Sequence, residues 1–252
     1  MSGNLRNQFK DKLRILHVKW LCAKSSILPE IEISGKTVIV APHPDDEVIG
    51  CGGLIARLVS QKNIPDIIVM TGGEGSHLNC CDLTADEIVC TRRALTRKAL
   101  GELGVPVTYI HELNYSDRGI DVANSAETNK LAKLISELNP ENIFVPHWGE
   151  GWKDHINTAN IIKKIINSHN SHNSLTLYEY CVWMWYYNIW RDLDWKNAYM
   201  LKLSDRELHE KLKAMECYID PVAPCGKPWS GVLPGIFKSA HKKGIELYFK
   251  CK

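Results

Sequence analysis

The stretch TVIVAPHPDDEVIGCGG, Thr37 to Gly53, constrains the fold more than any other part of the chain. A short apolar run stops at Pro42 and is followed at once by His43, Asp45, Asp46 and Glu47. An apolar run of this length, bounded by proline, reads as a buried strand. Pro42 and Pro44 disfavour helix around His43, so a tight loop separates the strand from a helix over 47–62. The acids fall in the first turn of that helix. Charges beside a core strand are costly unless a helix cap, an ion pair or a metal ion compensates them.

The same strand-then-helix rhythm recurs along the chain. PDIIVMT (65–71), PVTYI (106–110), NIFVP (142–146) and SLTLYEYCVW (174–183) read as strands. Helices are predicted from Thr84 to Gly104, over 124–138 and over 154–168. Thr84 is a plausible N-cap with Glu87 three residues on, and Gly104 a stop. This alternation predicts an α/β, Rossmann-like sandwich with a mostly parallel central sheet and helices on both faces. After Trp183 the pattern changes to an aromatic block (Trp183, Trp185, Tyr186, Tyr187, Trp190), a strand at AYMLKL, a capped helix from Ser204, and a proline- and glycine-rich loop over 220–235. Without repeats or a linker, 1–252 is expected to form a single domain.

The 252 residues carry 31 Lys+Arg against 29 Asp+Glu, a balance that gives no reason to expect nucleic-acid binding. No apolar run reaches membrane-span length, and the start has no secretory h-region. Nine scattered cysteines without a CxxC pair suggest reduced thiols and a cytoplasmic protein. Residues 1–24 are basic, with Leu13, Leu16, Trp20 and Leu21 at roughly helical spacing. The expected reading is a helix packing this stripe on the domain or on a partner subunit of a homo-oligomer. The alternative is peripheral contact with the cytoplasmic face of an anionic membrane.

Sites in open α/β sheets form beyond the carboxyl ends of the strands, which is where His43 to Glu47 fall. Helix capping accounts for one or two acids but not for His43. A histidine and a carboxylate three residues apart, His43 and Asp46, can converge on one ion, and imidazole with carboxylate suits zinc or another divalent first-row metal. Asp45 points elsewhere and can reach water at that ion. The end of the fourth strand supplies His147 and, opening the next helix, Asp154 and His155. An isolated pair of this kind is more often a cap with a surface histidine. Two such constellations in equivalent places on neighbouring units fit a three-ligand site with an open position, with Asp154 as an orienting group.

APHPDDE followed by DH at a helix start resembles the PIG-L/LmbE-like zinc-dependent N-deacetylases. MTGGEGSH (70–77), RRALTRKALGELGV, YSD (115–117) and LYEY (177–180) extend the resemblance from Thr37 to Trp183. It implies that His43, Asp46 and His155 bind Zn2+, that Asp45 is the general base, and that Arg92 and Asp117 contact substrate hydroxyls. It also makes 1–35 a basic extension and 184–252 a substrate-side region. One departure stands out. Trp152 occupies the place where the family usually carries a histidine or asparagine, and an indole cannot act as an acid. His147 or Tyr180 is expected to fill that role, the alternative being an oxyanion held mainly by zinc with weaker turnover; Trp152 and Tyr180 are expected at the substrate, and Glu47 capping the helix or orienting a ligand. The implied function is removal of the acetyl group from an N-acetylglucosamine-type sugar. The alternatives are an amidase on a non-sugar acyl amide, or a non-catalytic zinc-containing carbohydrate-binding protein.

Overall fold

The computed structural model describes residues 2–78, 82–168, 175–187 and 193–251; Trp190 and the Cys80-Cys81 pair lie outside them. Seven strands form one sheet: β1 (Thr37–Ala41), β2 (Asp66–Thr71), β3 (Ile110–Tyr115), β4 (Asn142–Pro146), β5 (Thr176–Tyr180), β6 (Ala198–Lys202) and β7 (Ile245–Lys250). Their order is β3-β2-β1-β4-β5-β7-β6. The first five strands are parallel, and β7 pairs antiparallel with both β5 and β6.

The central strands are apolar throughout because both faces are covered. Val38 and Val40 join Ile68, Ile143 and Val145 on one face, under α4 (Ser125–Leu138) and α5 (Lys153–Ser168). Ile39, Ile67, Val69 and Phe144 point to the other face, under α2 (Asp46–Ser60), α3 (Ala85–Glu102) and α6 (Asp205–Ile219). The caps form as their residue types demand. Thr84–Glu87 and Ser204–Glu207 are reciprocal capping boxes, and the Asn124 side chain accepts from the Glu127 N–H.

Two expectations fail locally. PVTYI is not a strand: Val107–Tyr109 is a 3-10 turn, and β3 begins where the predicted strand ends. Pro106 favours that turn, and β3 is a partly exposed edge strand, so its polar IHELNY lacks the apolar run that marks its neighbours. The second failure is at the C-terminus, where helix α7 (Gly235–His241) and β7 were not anticipated.

The C-terminal elements lock α2 through buried charge. The Glu246 carboxylate accepts from the N–H groups of Gly53 and Leu54 at 2.7 and 2.9 Å, and Lys211 Nζ donates to it at 2.7 Å. Both charged side chains are almost fully buried. The glycines of α2 permit the close approach. A Cβ on Gly50 would lie 2.3 Å from the Tyr180 ring, and one on Gly53 would lie 2.2 Å from Leu203.

Removing one partner of a buried ion pair costs about 3–5 kcal/mol, because the survivor is left uncompensated. Glu246→Ala is therefore expected to lower the unfolding free energy by that amount in urea titrations. Lys211→Met combined with Glu246→Gln should cost less than Glu246→Ala alone.

Candidate metal centre

The loop from β1 to α2 is built around an unusual backbone. Asp45 has φ 108°, a conformation non-glycine residues rarely adopt. It occupies the N-cap position of α2, yet its side chain makes no capping hydrogen bond. The carboxylate is free for other work because Arg92 holds the loop instead. The Arg92 guanidinium donates to Pro44 O at 2.5 Å and Gly73 O at 3.2 Å, and lies 3.5 Å from Asp45 Oδ2. Glu47 completes the brace: its Oε2 accepts from the Asp45 N–H at 3.0 Å and its Oε1 from Tyr218 Oη at 2.5 Å.

Three donors converge at the carboxyl ends of β1 and β4. Asp46 Oδ2 lies 3.1 Å from His43 Nδ1 and 3.3 Å from His155 Nε2. The ligand atoms of His43, Asp46 and His155 all fall within 4.8 Å of one another. The far side of each imidazole faces carboxylates. His43 Nε2 is 3.3 Å from Asp117 Oδ1 and 3.4 Å from Asp154 Oδ2, and His155 Nδ1 is 3.6 Å from Glu150 Oε2. Those carboxylates are themselves fixed by backbone donors: Gly75 N–H to Asp117, Arg118 N–H to Asp154, and the Val182 and Trp183 N–H groups to Glu150. A proton held on the carboxylate side of each ring leaves the other nitrogen's lone pair facing Asp46. The N, O, N donor set, with oriented imidazoles, fits a zinc-class cation.

The electrostatics agree with that fit. Burial opposes charge on His43, but Asp117, Asp154 and Asp46 outweigh it and raise its pKa well above the usual value. His155 is likewise disfavoured as a cation by burial, yet Asp46 lifts it to about 9. Burial works against ionised Asp46, but His155 and His43 hold its carboxyl below the usual range. Protons on the two rings thus perform the neutralisation that a cation would supply. Asp45 is pushed well above the carboxylate range by burial, only partly offset by Arg92, and Glu47 is pushed up to about 7 by the same cause.

These residues border a cavity of about 570 Å³. Its polar side includes Asp45, Arg92, Asp117 and Arg118, and its apolar side Trp152, Trp183, Val232 and Leu233. Arg118 was not anticipated, although it adjoins Asp117; the loop 230–233 falls within the 184–252 region expected on the substrate side, where no motif singled it out.

His147 and Tyr180 do not reach the cavity. The His147 ring is buried beside Phe249, its Nδ1 accepts from the Gly149 N–H at 2.9 Å, and its Nε2 faces Glu179. Tyr180 is buried under Gly50 and donates to Val40 O at 3.0 Å. His147 directly follows β4 and Tyr180 ends β5, and the neighbours that cover them, Phe249 and Gly50, hold both side chains in the packing layer. Trp152 does border the cavity, beside Trp183. The aromatic block divides: Trp185 is core, while Trp183 lines the cavity with its ring tilted against Trp152, the centroids 5.8 Å apart.

The family described as PIG-L, GlcNAc-PI de-N-acetylase, matches residues 38–166, a span that includes all three donors. The chain belongs to the PIG-L family. It is 28% identical over 150 residues to the 1D-myo-inositol 2-acetamido-2-deoxy-alpha-D-glucopyranoside deacetylase of Corynebacterium diphtheriae, and the match covers 51% of each protein. The chain thus spans about half the length of that curated relative. Among solved structures it resembles the N,N'-diacetylchitobiose deacetylase of Pyrococcus horikoshii, with a TM-score of 0.59, 23% identity, and 73% of this chain and 70% of that one covered. It also resembles GalB, the 4-carboxy-2-hydroxymuconate hydratase of Pseudomonas putida KT2440, with a TM-score of 0.62, 15% identity, and 86% and 96% covered. At these identities the structures share the PIG-L fold, and a hydratase among them means that the reaction must be argued from the site.

His147 is expected to serve stability rather than turnover. Burial lowers its pKa to about 3. The unfolded chain therefore binds a proton below about pH 6.5 that the folded chain refuses, and stability falls as pH drops, by about 1.4 kcal/mol per unit per such group. His147→Gln should flatten the pH dependence of unfolding between about pH 6 and 4 while leaving turnover within about threefold. A loss of turnover with an unchanged stability slope would return His147 to the reaction.

Proposed function

We propose that this PIG-L family chain is a metal-dependent hydrolase that removes the acetyl group from an N-acetylglucosamine-type sugar. The observation that carries the reading is the convergence of His43, Asp46 and His155 on one side of a cavity that Asp45 also borders. The three donors would hold Zn2+ or another divalent first-row cation. When bound, that cation supplies Lewis-acid activation of water and charge stabilisation for the developing oxyanion.

The chain's own residues do the rest. Asp45 takes a proton from the water whose oxygen bonds to the acetamide carbon, and returns it to the nitrogen as the C–N bond breaks, leaving acetate and a free amine. Its burial raises its proton affinity, which suits the return step. Arg92 and Glu47 hold the Asp45 loop in its uncommon conformation, so the carboxylate needs no reorganisation. Asp117 and Arg118 offer an acceptor and a donor for sugar hydroxyls, and Trp152 and Trp183 a surface for the ring or its aglycone. Neither His147 nor Tyr180 supplies an oxyanion donor in this reading.

Three measurements test it. Asp45→Asn should reduce acetate release from N-acetylglucosamine conjugates by about 100- to 10,000-fold, and His155→Ala should abolish both activity and tight metal binding. Wild-type turnover in either variant sinks the assignment. Chelation should remove activity and metal restore it. Loading the metal-free protein near neutral pH should release about two protons per chain, because His43 and His155 must give theirs up to coordinate. Turnover of simple acyl amides, with none on sugars, would favour the non-sugar amidase instead.

A further inference from the structure

The N-terminal helix α1 (Ser2–Ser25) buries Leu21 of the stripe that its sequence marks out but leaves Leu16 and Trp20 exposed. It docks through an adjoining face. Val18 and Leu21 are buried with Cys181, Met184 and Trp185, and His17 Nε2 meets Met184 O at 3.0 Å. Phe9, Leu16 and Trp20 remain 63%, 58% and 40% exposed, with half-buried Leu13 between them. Their spacing of four, three and four residues makes one continuous apolar ridge. Lys12 and Lys19 flank the ridge on one side, and Arg6, Lys10 and Lys24 on the other. The helix's one acid, Asp11, lies off the ridge and is paired with Arg14 at 2.9 Å. Outside this helix acids outnumber Lys and Arg, so the chain's positive charge is concentrated here.

We propose that α1 is a peripheral anchor that lies in the plane of an anionic lipid surface, its ridge among the acyl chains and its flanking cations on the head groups. Charge selects this occupant. Packing two such ridges together would set the cations of one copy against those of the other, whereas an anionic surface neutralises both flanks at once. No helix among the described residues is long and apolar enough to cross a membrane, so the contact is one of surface docking. The anchor is tied to the cavity wall. Arg14 stacks on Tyr186 at 4.2 Å, Tyr186 meets Trp183 at 6.1 Å, and Trp183 lines the cavity beside Trp152. The anchor does not depend on the deacetylase reading, and its test is independent of catalysis.

The test is flotation of the full chain with phosphatidylcholine vesicles, with and without roughly one-third phosphatidylglycerol. Binding is expected only with the anionic lipid, and should fall as salt rises. Lys12→Glu with Lys19→Glu should weaken it about tenfold or more, and so should Phe9→Glu with Leu16→Glu. Both variants should keep the wild-type circular dichroism and, on a soluble N-acetylglucosamine substrate, activity within about twofold of wild type. Three results overturn the proposal: no binding to anionic vesicles, equal binding to neutral ones, or a concentration-dependent dimer that Leu16→Glu dissolves.

Discussion

The structure depends on the burial of carboxylates at the start of α2. Asp45, Asp46 and Glu47 are all nearly inaccessible to solvent, and Asp117, Asp154 and Glu150 approach the same place from other loops. Such a cluster is stable only when every charge has a partner. His43 and His155 supply two, either protonated or as ligands, and Arg92 a third. Much of the local architecture follows from this requirement. The uncommon backbone at Asp45, the backbone donors on Asp117, Asp154 and Glu150, and the Tyr218 hydroxyl on Glu47 all distribute negative charge that the sheet alone could not accommodate.

Each compensating group comes from a different element, which makes the site a property of the assembled sheet. The donors arise from the ends of β1 and β4, which are hydrogen-bonded neighbours. Asp117 comes from the loop after β3, and Arg92 from α3. The C-terminal third contributes from outside the parallel sheet. Glu246 on β7 and Lys211 on α6 hold the middle of α2, so the helix that presents Asp46 is clamped at both its N-terminus and its centre. The same third supplies Val232 and Leu233 to the cavity, placing part of its apolar wall on an irregular segment.

Much of this was legible in the chain. Strand ends are recognisable from apolar runs, and sites in open parallel sheets gather there, which made His43 and Asp46 candidates and pointed to the end of β4 for a third donor; the set with His155 was implied by the family resemblance. The capping boxes at Thr84 and Ser204 followed from residue types alone. The helper roles were not legible. His147 follows its strand as directly as a site residue would, and Tyr180 lies in a recognisable motif, yet both side chains turn into the packing layer. Their direction depends on which neighbour covers them, and strand alternation does not carry that information. The resemblance marked Trp152 as a departure, but that it borders the cavity beside Trp183 depends on a contact between distant segments.

The sequence by itself determined the order of strands and helices from β1 to α6, the turn chemistry of the β1–α2 loop and the types of donor available, because each is set by interactions within a few residues. Only the tertiary structure decided that β7 enters between β5 and β6, that α1 turns its apolar ridge outward, and that Arg118, Glu150 and the loop 230–233 belong to the site. Those outcomes depend on which distant surfaces meet. Burial and charge compensation are settled by the packed chain as a whole and leave no periodic trace in any one segment.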